Sequence, residues 1–90
     1  MFISKLIWDD YRIEHIARHN VDPDEVWEIC EDPLHLAHRE GKNRYRLYGK
    51  TLNGRNLFIV LEQVEKTVFK VITAREMKNN EKKYFRRLNK

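Results

Sequence analysis

The chain has 90 residues, of which 41% are hydrophobic and 36% charged, and this composition fits one small globular domain spanning residues 1–90. Its single cysteine excludes an intrachain disulfide and a cysteine-rich metal site, and no apolar run reaches the roughly 20 residues that cross a membrane, so we expect a soluble protein of the reducing cytoplasm. The net charge of +4 is uneven, because residues 1–74 sum to −1 and residues 75–90 to +5, a split that favours a polyanionic partner.

The first third of the sequence predicts one strand followed by two short helices. Residues 2–8 are rich in apolar side chains and predict a strand that ends before the helix-capping pair Asp9-Asp10. Apolar residues then recur at helical spacing until Asn20, which is typical of a left-handed helix stop. The stretch Asp22-Pro23-Asp24-Glu25 combines an N-cap, a proline at the first helical position and a capping-box glutamate, and therefore begins a second helix.

The middle of the chain changes to a hydrophobic period of two, which predicts strands. Residues 34–39 form a short strand candidate, and residues 44–50 alternate basic with aromatic or aliphatic side chains. The turn signal Asn53-Gly54 joins the second of these strands to residues 57–64, whose nearly continuous apolar run predicts a central strand.

The end of the chain predicts one more strand and a closing helix. Residues 68–74 form the strand, and Met77, Tyr84, Phe85 and Leu88 give the helix one apolar side. The predicted order is β-α-α-β-β-β-β-α, and we expect an α+β fold in which an antiparallel sheet packs against the helices.

Two histidines, His15 and His19, lie four residues apart on the first predicted helix and share one face of it. No further motif completes a metal site around them, so we expect none. His19 has two interpretations. Imidazole titrates near neutral pH and can serve as a general acid or base, or His19 can simply complete the helix C-terminus.

The strand at residues 44–50 has one basic face. With a period of two, Arg44, Arg46 and Tyr48 point to one side of the sheet and Tyr45 and Leu47 to the other. This pattern predicts either an RNA-contacting face, where arginines hold phosphates and tyrosine stacks on a base, or an ordinary strand that faces solvent.

Arg75 follows the last predicted strand and precedes the last helix, a position from which side chains project beyond a sheet. Lys78, Glu81 and Lys82 lie at helical neighbour positions, and Tyr84 is one step further. Either this junction forms the edge of a site for a polyanion, or its charges are the ion pairs of a solvated helix.

Several short stretches occur in order over residues 8–84. They are Trp8-Asp9, Arg18-His19-Asn20-Val21, Glu31-Asp32-Pro33-Leu34, Arg46, Gly49-Lys50-Thr51, Asn53-Gly54-Arg55, Thr73-Ala74-Arg75, Glu81 and Tyr84. Their joint order and spacing resemble the BrnT family of bacterial type II toxins, although Asn20 stands where that family often has glycine.

The resemblance implies a RelE-like α+β fold and an endoribonuclease that inhibits translation without a metal or organic cofactor. It also implies a cognate BrnA-like antitoxin with a ribbon-helix-helix domain, through which the toxin–antitoxin complex would bind operator DNA. A different class of function stays open, namely a nucleic-acid-binding or protein-interaction module without catalysis.

The resemblance also suggests roles for individual residues. RNA cleavage needs a base, an acid and cations for the charge that develops on phosphorus. Arg75 fits charge stabilisation, while Arg46 and Arg55 fit RNA clamps, with Lys78 and Lys82 as further RNA contacts. The matched residues that can move protons are His19, Glu81 and Tyr84, and the assignment of base and acid among them stays open.

Overall fold

A computed structural model describes residues 1–89 of the chain as five strands and three helices. The strands are β1 (Lys5–Ile7), β2 (Leu36–Glu40), β3 (Arg44–Lys50), β4 (Asn56–Gln63) and β5 (Val68–Glu76). The helices are α1 (Asp10–Ala17), α2 (Pro23–Glu31) and α3 (Asn79–Leu88). This order is the predicted one. None of the three helices in this part of the chain is long and apolar enough to span a membrane.

All five strands join one sheet in the order β1-β5-β4-β3-β2. Strands β2 to β5 form the predicted antiparallel meander. Strand β1 differs from the prediction, because it runs parallel to β5 with Lys5 opposite Val68 and Ile7 opposite Lys70. Parallel neighbours need a long connection, and the chain between β1 and β5 contains two helices and three strands.

The two faces of the sheet carry two apolar clusters of different size. The larger cluster lies under α1 and α2 and includes Ile16, Val26, Ile29, Leu47, Leu57, Ile59, Leu61, Phe69 and Val71. The smaller cluster lies under α3 and consists of Tyr48, Phe58, Met77 and Phe85. Neighbouring residues of β3 and β4 enter different clusters because side chains alternate along a strand. Helix α3 therefore covers the face opposite α1 and α2.

The left-handed Asn20 and the start of α2 are as predicted, but α1 ends at Ala17 rather than at His19. Asn20 has φ 60°, the left-handed conformation that asparagine tolerates better than most residues. At the start of α2, the Glu25 backbone N–H donates to Asp22 Oδ1 at 3.0 Å, and the Asp22 N–H donates to Glu25 Oε1 at 3.2 Å. This capping box satisfies two amides that the helix leaves unpaired.

The end of the chain differs from the prediction in its boundaries. Strand β5 continues to Glu76, so Arg75 lies within the strand rather than at its junction with a helix. The Met77 N–H donates to Asn56 O at 2.9 Å, which keeps the chain paired with β4 and delays the helix to Asn79. Met77 is therefore buried ahead of α3, whereas Leu88, predicted on the apolar side, is 49% exposed.

Gly49 on β3 allows α2 to approach the sheet closely. A Cβ atom at this position would lie 2.5 Å from Cγ2 of Ile29, and Ile29 is fully buried. Real Cβ contacts are longer than this, so any larger residue would push α2 away from the strand.

We expect Gly49→Ala to lower the free energy of unfolding by about 1–3 kcal/mol through overpacking. Ile29→Ala alone should cost about 2–5 kcal/mol, because it leaves a cavity. The double variant should lose less unfolding free energy than the sum of the two single losses, since the small residue at position 29 makes room for the new methyl group. Urea unfolding of the four proteins measures this coupling, and strictly additive costs would rule out the steric contact.

Candidate functional site

A hollow of about 420 Å³ lies between β3 and α3, on the face of the sheet that carries the smaller apolar cluster. It is lined by Arg46 and Tyr48 from β3 and by Asn80, Glu81 and Tyr84 from α3. Three of the residues predicted to act on RNA, Arg46, Glu81 and Tyr84, thus share one concave surface.

Arg75 lies beside this hollow and is held from three directions. Its guanidinium donates two hydrogen bonds to the Glu81 carboxylate, at 2.8 and 3.0 Å, and one to the Glu76 carbonyl oxygen at 3.0 Å. The Cζ atom also lies 4.3 Å from the centroid of the Phe58 ring, within cation–π range. The side chain is 27% exposed, so Arg75 presents a fixed and partly desolvated positive charge.

Glu81 positions Arg75 and starts α3. Its carboxylate accepts from both Arg75 nitrogens and, through Oε1, from the Lys78 backbone N–H at 2.7 Å. The Arg75 hydrogen bonds, assisted by the Lys78 amide, lower the pKa of Glu81 against the opposing effect of partial burial. The same hydrogen bonds raise the pKa of Arg75. Glu81 is therefore ionised at neutral pH and has no proton to donate.

Arg46 is the more accessible of the two arginines. Its Nε lies 2.7 Å from Glu40 Oε2 in an ion pair, and the side chain is 43% exposed. It also lines a second hollow of about 450 Å³, together with Glu40, Arg44, Phe58 and Val60. Arg46 therefore connects two depressions along β3.

The side chains of His38, Tyr48 and Tyr84 pack together at the inner wall of the hollow. The Tyr84 hydroxyl forms a hydrogen bond with Nε2 of His38, a residue of β2. The ring of Tyr48 lies edge-on to both, with centroid distances of 6.1 Å to His38 and 5.5 Å to Tyr84. Burial raises the pKa of Tyr48, and with only 5% of the residue exposed its ring has no free face for a base. Of the two alternatives for this strand, the one in which Tyr48 stacks on a base therefore does not fit the structure.

His38 is absent from the residues that the sequence pattern singles out. In the β2–β3 ladder it lies directly opposite Arg46, and Leu36 lies opposite Tyr48. Residues that lie directly opposite each other in an antiparallel pair of strands share a face of the sheet. Aligning residues 34–39 against residues 44–50 around the Gly41 turn was the one signal in the sequence that could have found it.

The two histidines of α1 do not join this group. His15 contacts Thr73 Oγ1 through Nε2 at 3.0 Å, and the exposed His19 lies edge-on to His15 at 5.5 Å between ring centroids. Helix α1 packs on the opposite face of the sheet from Glu81 and Tyr84. In residues 1–89 no group of three metal-ligating side chains forms around the pair or elsewhere.

Arg55 is also separated from the hollow. Its guanidinium donates to both Glu25 oxygens at 2.7 Å, to the Asn20 carbonyl oxygen at 2.8 Å and to Glu76 Oε1 at 3.3 Å. Burial opposes its charge, but the Glu25 and Glu76 carboxylates outweigh that effect and raise its pKa. Arg55 thus ties the α1–α2 connection to the end of β5.

Two further residues of the sequence analysis are placed as follows. Lys78 is exposed directly ahead of α3, and Lys82 is half-buried in the first turn of that helix, so both lie next to the hollow's α3 side.

Burial raises the pKa of the Cys30 thiol to about 12, so it is protonated at neutral pH and packs as a small apolar side chain.

The comparisons with known proteins agree with this architecture. A family model described as the ribonuclease toxin BrnT of type II toxin–antitoxin systems matches residues 8–81. The fold is similar to the crystal structure of the Brucella abortus ribonuclease toxin BrnT, with 18% sequence identity, 83% of this chain and 97% of that chain covered, and a TM-score of 0.67. No curated protein sequence matches the chain. The resemblance to BrnT and the α+β fold are confirmed.

The Arg75–Glu81 pair predicts an acid-dependent loss of stability. The pKa of Glu81 is lowered by folding, so its contribution is fully present above the ordinary glutamate value of about 4.3 and is lost as pH falls through the lowered folded value. Glu81→Gln should therefore cost about 2–3 kcal/mol of unfolding free energy at pH 7. The difference from the wild type should shrink on acidification.

Urea unfolding at pH 7 and at about pH 3 measures this difference. Glu65→Gln is the matched control, because Glu65 lies exposed in the β4–β5 turn and should show almost no effect at either pH. An effect of Glu81→Gln that stays constant with pH would contradict the proposed linkage.

Proposed function

This chain belongs to the BrnT family of ribonuclease toxins of type II toxin–antitoxin systems, and we propose that it is an endoribonuclease that cleaves RNA and so inhibits translation. The observation that carries the proposal is the hollow between β3 and α3, which is lined by the accessible Arg46 and by Tyr84 and lies beside the fixed Arg75. RNA supplies phosphates for the arginines and a 2′-hydroxyl as the nucleophile.

The two arginines suit different parts of the reaction. Arg46, whose side chain is 43% exposed beside its partner Glu40, is placed to bind an RNA phosphate. Arg75, fixed by Glu81 and Phe58, is placed to stabilise the charge that develops on phosphorus, because a preorganised cation needs no rearrangement during the reaction. Glu81 acts by orienting Arg75, and Tyr84 is the group on the wall of the hollow that can transfer a proton.

The remaining residues suggested by resemblance have more distant roles. His19 lies on the other face of the sheet, and Arg55 is committed to Glu25 and Glu76, so we place neither in the reacting group. Lys78 and Lys82 lie at the start of α3 and would attract RNA by charge alone. The site needs no metal ion in this proposal, because Arg46 and Arg75 supply the positive charge.

We further propose that residues 1–90 form one BrnT-like domain and that it works in the cytoplasm, paired with a BrnA-like ribbon-helix-helix antitoxin. The charge of +5 on residues 75–90 favours an antitoxin segment that is acidic where it covers α3. Binding of operator DNA would then belong to the antitoxin, with the toxin as its co-ligand. The RelE-like relationship remains a prediction from resemblance.

One observation favours a second candidate function, a nucleic-acid-binding module without catalysis. Glu81 is ionised and bonded to Arg75, so it has no proton to give, and Tyr84 is left as the proton-transferring group on the wall of the hollow. A protein of this kind would bind RNA in a strongly salt-dependent manner and leave it intact.

Purified protein should cleave a labelled mixed-sequence RNA in the presence of EDTA, and Arg46→Ala should lower kcat/KM by about 10–100-fold, because one charge-assisted hydrogen bond to a phosphate, worth about 1.5–3 kcal/mol, is lost. Arg18→Ala is the matched control, because it removes one exposed positive charge from the α1 side. Gel electrophoresis of the products measures both rates. RNA that stays intact at high protein concentration would contradict the enzyme and favour the binding module.

Induced expression in bacteria tests the toxin–antitoxin relationship. The wild type should arrest growth, and Arg75→Ala should not, because the fixed cation is lost. Co-expression of a ribbon-helix-helix protein encoded beside the toxin should restore growth. Growth that continues with the wild type, or an arrest that such a neighbour leaves unchanged, would contradict this part of the proposal.

A further inference from the structure

We propose that His38 is the proton acceptor of the cleavage reaction, acting through Tyr84, a role that rests on the ribonuclease function proposed above. The Tyr84 hydroxyl bonds to Nε2 of His38, and Tyr84 lines the hollow whereas His38 stands behind it. A substrate in the hollow would therefore touch the tyrosine, and the imidazole would act through it as a positioning residue.

The surroundings hold this pair in one arrangement. The His38 and Tyr84 rings lie 5.5 Å apart between centroids, and Tyr48 packs edge-on against both. Tyr48 is itself packed against the Phe58 ring at 5.4 Å, and Phe85 anchors α3 one residue beyond Tyr84. The hydroxyl thus has little freedom to turn away from Nε2, which is the preorganisation that proton transfer requires.

The chemistry balances as a relay. Tyr84 donates its hydroxyl proton to Nε2 of a neutral His38 that carries its own proton on Nδ1. As the 2′-oxygen of RNA bonds to phosphorus, its proton passes to Tyr84, and the tyrosine proton passes to His38. The bond from phosphorus to the 5′-oxygen breaks, and that oxygen takes a proton from water. The products are a 2′,3′-cyclic phosphate and a 5′-hydroxyl, and His38 returns its proton to solvent.

The relay places a tyrosine where a base is needed without requiring a free phenolate. A protonated tyrosine can accept a proton only if it gives up its own, and His38 accepts that proton. Two arginines provide the positive charge for the phosphate. Arg46 lies opposite His38 on β3, and Arg75 lies beside the hollow. Base and cations therefore lie on adjoining parts of one surface.

The relay predicts a specific dependence on pH. The charged and titratable groups facing His38 are Arg46 and Tyr48 from β3, Tyr84 from α3 and Glu40 on its own strand. Because the relay needs a neutral His38 to accept the proton, the rate should be lower in acid than at neutral pH.

His38→Gln tests the relay, because a glutamine can accept the Tyr84 hydrogen bond but cannot take up a proton. It should lower kcat by about 10²–10⁴-fold with KM for RNA nearly unchanged, and it should abolish the acidic limb of the pH profile. Tyr84→Phe should have a similar effect. The double variant should be no slower than the slower single variant, because the two residues act as one unit.

Tyr11→Phe is the matched control, since Tyr11 is 65% exposed on α1 and should leave kcat unchanged. Thermal unfolding and RNA-binding titrations of each variant separate loss of fold or binding from loss of chemistry. For His38→Ala, partial recovery of the rate by added imidazole is expected from a missing proton acceptor and not from a packing defect.

The outcomes distinguish the relay from the function on which it rests. A wild type that leaves RNA intact overturns the ribonuclease and the relay together. A wild type that cleaves RNA, with a His38→Gln variant that keeps the rate and the pH profile, overturns the relay alone. Cleavage that is lost in His38→Gln together with RNA binding also overturns it, because His38 would then serve structure.

Discussion

The bidentate ion pair between Arg75 and Glu81 connects the last strand to the last helix and fixes the position of α3 relative to β5. Glu81 uses the same carboxylate to cap the first turn of α3 and to hold the guanidinium on β5. The position of the first turn determines where Tyr84 points one turn later. The hollow, the Tyr84–His38 hydrogen bond and the placement of Phe85 all depend on this one contact.

The unequal division of apolar side chains between the two faces explains why a polar contact has this importance. The face under α1 and α2 carries a large, fully apolar cluster, and Gly49 lets α2 pack closely against it. The face under α3 has a small cluster in which Tyr48 is the largest member. Burial of so little apolar surface holds a ten-residue helix weakly. Hydrogen bonds to charged groups supply the rest, and they leave polar atoms at the edge of a hollow.

Local sequence signals predicted the elements well, and they predicted the site only where its residues are close in sequence. The cap of α2, the left-handed Asn20 and the alternation along β3 were all visible, because each depends on a few neighbouring residues. Arg75, Glu81 and Tyr84 were grouped for the same reason, and in the structure Arg75 contacts Glu81 while Glu81 and Tyr84 line one hollow. His38 was missed, since its partner Tyr84 lies 46 residues away and the strand register that brings them together cannot be read from composition.

The same limit applies to His19 and Arg55, which are not among the residues that line the hollow. His19 and Arg55 matched a family pattern, but their roles depend on which face α1 covers and on contacts across separate loops. Arg55 bonds to Asn20 and Glu25, at separations of 35 and 30 residues, and no periodicity along the chain reports such contacts. A match in residue type and order therefore identified the fold more securely than it identified individual roles.

The positively charged residues at the end of the chain have two different roles, attraction of RNA and action on the bound phosphate. Arg75 is neutralised by Glu81, whereas within residues 1–89 the other cations of this segment, Lys78, Lys82, Lys83, Arg86 and Arg87, have no ion pair. Exposed charges act over about 8 Å at physiological salt and are screened beyond it, so they raise the rate of encounter with RNA. A held and partly buried cation is screened less. Arg75 is thus suited to act on the bound phosphate, and the free cations are suited to bring it there.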